Sequence, residues 1–206
     1  MEEKLIDQNA DYTRMKKISI ALLILLVLCI IAIIVLIIFL TKSNFKGFNY
    51  WVEKYKMMDH VEGGKFQFGL YASPFTVNLT DYEGLERLAT STCYYMLNAH
   101  EPGKFHKLKG DECWLFHEGA PLTMYLMNEA TGEIETKLLG LCDECHPLIC
   151  VKGGTIFGEL GGDDYTFVSL ETVPGYDDKD FILYTKKDLL DKYPQNKEII
   201  DKIYPE

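Results

Sequence analysis

From Ile18 to Leu40 the sequence has no charged residue, no proline and no glycine. With no helix breaker and no group that resists burial, these 23 residues would form a helix ~34 Å long, enough to cross a hydrocarbon core of about 30 Å. Hydrocarbon offers the backbone no partners, so a lone span must be helical. A cleaved signal peptide has an apolar core of about 7–15 residues ending at small side chains. This run is longer and leads into Phe39, Leu40, Thr41 and Lys42, so it is read as a retained anchor. Basic residues are also scarce: 21 Lys and Arg stand against 31 Asp and Glu, a formal net charge of −10. Four acids (Glu2, Glu3, Asp7, Asp11) balance four bases (Lys4, Arg14, Lys16, Lys17) ahead of the span, so the whole deficit lies beyond it. An acidic domain without a Lys/Arg cluster repels phosphate backbones, which argues against nucleic-acid binding. No repeat or low-complexity segment occurs outside the span.

The orientation signals are few. Arg14, Lys16 and Lys17 precede the span and Lys42, Lys46 and Lys54 follow it, so the positive-inside count nearly ties. A short basic flank before an uncleaved N-terminal span most simply leaves the N-terminus cytosolic and the rest lumenal or extracellular. Asn78-Leu79-Thr80 is a glycosylation acceptor that agrees with this placement. Cys93, Cys113, Cys142, Cys145 and Cys150 lie beyond the span. Buried cysteine is an ordinary small hydrophobe, so their number alone does not set the compartment. In an oxidising one, a disulfide is expected among Cys142, Cys145 and Cys150; in the cytosol they would be thiols. Cys142-Asp-Glu-Cys145-His146 also spells the haem-attachment pattern, but a loop on a barrel offers no haem cavity.

The chain divides into a tail (1–17), the span (18–40), a juxtamembrane segment (41–58) and a folded domain (59–206). The stretch FNYWVEKYKMM (48–58) is amphipathic. It could sit in the membrane interface or begin the domain's first helix. From Gly63 onward come short runs rich in aromatic and β-branched residues, closed by turn signals such as Asn128–Gly132 and Gly161–Asp164. Regular strands without intervening helices imply an antiparallel sandwich or barrel. Leu189, Leu190, Tyr193, Ile199, Ile200 and Ile203 return to helical spacing at the end.

The most informative segment is FHKLKGDECWLFHEG, Phe105 to Gly119. It reads as two strands joined at Lys109-Gly110-Asp111. Alternation puts His106 and Leu108 on one face, and Glu112, Trp114 and Phe116 on one face of the next strand. His117 is turned the other way. If the two faces meet inside a barrel, a histidine and a carboxylate converge in an apolar cavity. This segment resembles the first motif of the cupin superfamily, an H-x-H pair followed by a Glu and then a Gly: His106, Glu112 and Gly119 match, and Leu108 replaces the second histidine. HVEGG (60–64), STCYYML (91–97), ETVPGYDDKDF (171–181) and LLDKYP (189–194) occur in order around it. Together they resemble the "cupin 5" branch of RmlC-like jelly rolls. That resemblance implies an all-β double-stranded β-helix with a C-terminal helix, an inner pocket and a homodimer.

Such a pocket has three uses open to it. Divalent metal needs three or four ligands; His106 and Glu112 supply two, and the histidine position of the second cupin motif is Phe157. Metal is therefore not favoured. A sugar or small-carbonyl epimerase would use His106 as base, Glu112 as its partner and Tyr94 or Tyr95 as acid. Against it, apolar Leu148 and Phe157 stand where relatives carry polar groups, and these cannot fix sugar hydroxyls. The favoured reading is a small-molecule-binding cupin held at a membrane. Its pocket is expected to be lined by His60, Glu62, Tyr94, Leu108, Trp114, Phe116 and Phe157, and rimmed further by Leu148 and Ile156.

Overall fold

The structure, a computed structural model, describes residues 2–42, 46–78 and 86–205. It divides into two compact units, Met1–Lys46 and Gly47–Glu206. The first holds helix α1 (Glu2–Lys42). Nothing between Glu2 and Lys42 breaks a helix, so the polar tail and the apolar run form one continuous element. Its stretch Arg14–Phe39 is long and apolar enough to cross a membrane.

The second unit opens with α2 (Phe48–Tyr55), which ends where Lys56 turns left-handed at φ 50°. The strands follow: β1 (Met58–Asp59), β2 (Lys65–Ala72), β3 (Thr76–Asn78), β4 (Glu86–Leu88), β5 (Ser91–Leu97), β6 (Pro102–Leu108) and β7 (Asp111–Gly119). After them come β8 (Leu122–Met127), β9 (Ile134–Leu139), β10 (Leu148–Val151), β11 (Ile156–Leu160), β12 (Thr166–Val173) and β13 (Phe181–Leu183). Two helices, α3 (Lys186–Lys192) and α4 (Lys197–Ile203), end the chain, parted at Pro194. Thr185 and Asp188 form a reciprocal capping box at the start of α3.

One sheet has the order β1-β2-β5-β12-β7-β10 and the facing sheet β13-β6-β11-β8-β9; β3 and β4 form a separate hairpin. The inner faces meet in a core of Tyr95, Leu97, Trp114, Leu122, Met124 and Phe157 among others. This is the double-stranded β-helix expected from the sequence. Both outer faces are covered. Trp51 and Tyr55 of α2 pack on Met96 and Phe167 of the first sheet, and Leu189, Ile200 and Ile203 pack on Phe105 and Ile156 of the second. The segment at 48–58 thus begins the domain, and the folded unit starts at Gly47 rather than at residue 59.

Register breaks once in β7. Val168 pairs with Phe116 and Phe167 with Glu118, so His117 is an extra residue in a β-bulge. His117 and Glu118 consequently both face outward. Glu118 accepts from Trp51 Nε1 at 3.2 Å and from the Tyr165 hydroxyl, pinning α2 to the sheet.

Two disulfides are formed, Cys113–Cys150 and Cys142–Cys145. The bridge expected among Cys142, Cys145 and Cys150 is Cys142–Cys145; Cys150 pairs with Cys113, its direct cross-strand partner in the β7–β10 pairing. That bridge closes a sequence separation of 37 residues and staples an edge strand to the sheet, whereas Cys142–Cys145 spans only 3.

Candidate functional site

The turn after Leu108 folds β7 back over β6, bringing two inward-facing positions together. His106 on β6 is 2% exposed and Glu112 on β7 is 6% exposed. The imidazole Nε2 lies 4.0 Å from Glu112 Oε2, an ionic contact rather than a hydrogen bond. That same oxygen accepts the Trp114 Nε1–H at 3.0 Å. On the other side, His106 Nδ1 donates to the Lys104 carbonyl at 2.9 Å and lies 3.5 Å from Glu62 Oε2.

Glu62 comes from the HVEGG loop, which wedges between β5 and β6. Gly63 and Gly64 have φ +128° and +70°. A Cβ on Gly63 would lie 2.3 Å from the Pro102 carbonyl oxygen, and one on Gly64 would lie 2.4 Å from that of Met96. Only glycine allows both the backbone conformation and the approach. The Glu62 carbonyl accepts from Lys104 N at 2.9 Å, fixing the loop on β6. His60 Nδ1 is 3.5 Å from Glu62 Oε2, and its ring meets Phe66 edge-on at 4.7 Å.

A third carboxylate was not anticipated. Glu159 on β11 is fully buried. The Tyr95 hydroxyl donates to the Gly63 carbonyl at 3.0 Å and lies 3.2 Å from Glu159 Oε1, while Glu159 Oε2 has no hydrogen-bond partner. Burial, reinforced by Glu62 and Glu112 and opposed by His106, pushes the Glu159 carboxyl up to about 8. Near neutrality it holds a proton and can donate it to the Tyr95 oxygen. For His106, burial works against the charged form, but Glu62, Glu112 and Glu159 outweigh it and raise the imidazole to about 10. Burial, then Glu112 and Glu62, push the nearby Cys93 thiol up to about 12.

His60, Glu62, His106, Leu108, Glu112, Trp114 and Phe157 therefore converge in one interior, His106, Leu108 and Phe157 from one sheet and Glu112 and Trp114 from the other, with Phe116 packed at its edge. Tyr94 does not join them. It faces outward, its ring 4.5 Å from Tyr55 and 5.1 Å from Phe167, because strand phase gives the inner position to Tyr95. Ile156 likewise faces the C-terminal helices, and Leu148 is exposed on edge strand β10. His117 packs outside against Tyr94 and Phe167, with Nε2 2.9 Å from Ser169 Oγ, and burial lowers its pKa. Asn78 is exposed at the end of β3, while Leu79 and Thr80 lie outside the described residues.

A small concavity beside the β6–β7 turn, lined in part by Leu108, Asp111, Tyr176 and Asp180, has a volume of about 10 Å³ and meets the wall of the site only at Leu108. The donors do not fit a divalent metal. The Phe157 ring sits 4.1 Å from the His106 ring, both His106 nitrogens have partners, and Leu108 closes the next position. Among the described residues, no group of three or more His, Cys, Asp or Glu is arranged to hold a metal ion.

The family model for "Cupin superfamily (DUF985)" matches residues 49–184. A crystal structure of a Shewanella oneidensis protein is 31% identical, covers 77% of this chain and 98% of its own, and superposes with TM-score 0.70. A hypothetical protein from Leishmania major is 27% identical over 76% of this chain and 98% of its own, with TM-score 0.69. No curated protein matches. The model match takes in the HVEGG loop, the His106–Glu112 pair and Glu159, and on that extent the chain belongs to the cupin superfamily, in the family described as DUF985.

Proposed function

We propose that the protein is a membrane-anchored binding module in which the cluster around His106 takes a small ligand rich in hydrogen-bond donors, such as a polyol or an amine. The carrying observation is the surplus of acceptors. Three buried carboxyl groups surround one imidazole, and Glu159 Oε2 is left without a partner. Buried polar groups normally find partners, so an orphan acceptor beside an acidic cluster favours a donor. The HVEGG loop lies between the cluster and the surface: it carries Glu62 beside His106, and its Val61 is exposed.

Proton abstraction by His106, as in an epimerase, is less well supported. An imidazole raised to about 10 already holds its proton at neutral pH and cannot serve as the base.

In this reading the span at 18–40 is retained, the tail is cytosolic and the domain stands outside the cytosol as a homodimer. Two disulfides favour an oxidising compartment, and Asn78 is exposed. The test has two parts. Mass spectrometry of the protein purified under gentle conditions should find a polar ligand, and polyols or primary amines should raise the melting temperature of wild type more than that of Glu159→Gln. An empty protein whose melting no such compound shifts defeats the ligand reading. Digestion of the domain by protease added to sealed vesicles, with Asn78 unglycosylated, defeats the placement.

A further inference from the structure

The two disulfides differ in what they do for the fold. Cys142–Cys145 lies in the turn between β9 and β10, where Cys142, Asp143, Glu144 and His146 are exposed. The backbone of this turn closes without help from sulfur. Cys145 N–H donates to the Cys142 carbonyl at 3.0 Å, Gly140 N–H to that of His146 at 2.9 Å, and His146 N–H to that of Leu138 at 2.8 Å. By chain entropy a bridge spanning 3 residues stabilises about half as much as one spanning 37. The Cys142–Cys145 bond is therefore the lesser staple, and the turn keeps its backbone bonds without it. The same backbone bonds keep both sulfurs adjacent after reduction, so that re-forming the bond remains an intramolecular step.

We propose that Cys142–Cys145 is a thiol–disulfide exchange site for a dithiol protein with a basic rim, and that Cys113–Cys150 is the permanent staple. A partner thiolate attacks the exposed Sγ of Cys142. The bond to Cys145 breaks as the mixed disulfide forms, and Cys145 leaves as a thiolate and takes a proton. The partner's second thiolate then attacks its own sulfur in the mixed disulfide, closing the partner's disulfide and releasing Cys142, which takes the second proton. The partner gives up two electrons and two protons, and the pair gains them.

Two surroundings define the partner. Leu141 and Leu148, which flank the turn in sequence, are 74% and 51% exposed and supply apolar contact on either side. Asp143 and Glu144 sit between the cysteines. Their charge disfavours a thiolate in the turn, making the disulfide the resting form, and repels anionic attackers. A dithiol framed by Lys or Arg meets neither obstacle. This site is separate from the cluster at His106 and does not depend on its ligand.

The test uses the full chain in detergent, exposed to glutathione or dithiothreitol, quenched with an alkylating agent and mapped by mass spectrometry. Cys142 and Cys145 should be labelled together at least tenfold faster than Cys113 and Cys150, with the domain still folded. Oxidised glutathione added before the quench should re-form the bridge and abolish the labelling. Cys145→Ser, folded as judged by melting, should form a mixed disulfide with glutathione at Cys142. The double variant D143N/E144Q should accelerate reduction by anionic glutathione several-fold more than by neutral dithiothreitol. Opening of both bridges at equal rates, or of Cys142–Cys145 only when the domain melts, overturns the exchange site. A glutathione-to-dithiothreitol ratio unmoved by D143N/E144Q overturns the basic partner.

Discussion

His106 and His117 lie on consecutive strands, yet they sit in opposite environments. His106 is sealed inside, against Glu62 and Glu112. His117 lies outside on the β-bulge, among Tyr94, Phe167 and Ser169. Desolvation pushes both imidazoles toward the neutral form, and only in His106 do carboxylates reverse it. Burial alone therefore does not predict the charge of a histidine in this fold; the sign is set by which wall of the sheet carries acid.

The strongest way to break the contrast is to remove each ring. His106→Leu strands Glu62 and Glu112 without their cation and should cost about 3–5 kcal/mol, as expected for one half of a buried ion pair. His117→Leu should stay within about 0.5 kcal/mol. Urea melts of the two variants decide it, and equal losses would mean that the inner cluster carries no net ionic stabilisation.

Next in size is the pH dependence. The folded state holds the His106 proton up to about 10, where an unfolded histidine loses it near 6.5. That stabilisation is complete below about 6.5 and disappears as pH rises through about 10. Glu159 adds a loss in the same direction between its unfolded value near 4.3 and about 8. Stability should fall by on the order of 3 kcal/mol between mildly acidic and alkaline solution. Glu159→Gln should flatten the part below about 8. A protein that grows more stable from pH 6 to 9 would contradict both assignments.

Smaller still is the effect of one partner. Glu112→Gln keeps the volume but removes a charge, so the His106 pKa should drop by about one pH unit while that of His117 stays put. A proton NMR titration following both rings reads this directly; a His106 indifferent to Glu112 would separate the two side chains. Ser169→Ala is the mildest probe. It removes one half-exposed hydrogen bond and should change stability by about 0.5 kcal/mol or less, without touching His106.

Alternation along two short strands was enough to bring His106 and Glu112 together from sequence, because the register shifts in β6 and β7 lie before His106 and after Glu112, not between them. Other features were hidden for physical reasons. Glu159 sits two residues after Phe157 and shares its inner face, but a lone carboxylate in an apolar run reads as solvent-facing until the facing sheet is known. Tyr94 and Tyr95 are adjacent, so a phase error of one residue exchanges wall for surface. The Cys150 partner required the β7–β10 register, which joins residues 37 apart and has no local signature.

The bulge at His117 has a consequence for how this stretch can vary. Like a reading frame, strand phase depends on how many residues are counted, and here one residue in β7 is left out of the count. If His117 were drawn into the ladder, Glu118 would leave Trp51 and Tyr165 and turn into a barrel that already encloses Glu62, Glu112 and Glu159. α2 would lose its tie at the same moment as the core gained a fourth acid. Deleting His117 does neither, because Phe116 and Glu118 keep their partners Val168 and Phe167 and their faces. Along β7, position 117 is thus the place where the strand can shorten by one residue without exchanging wall for surface.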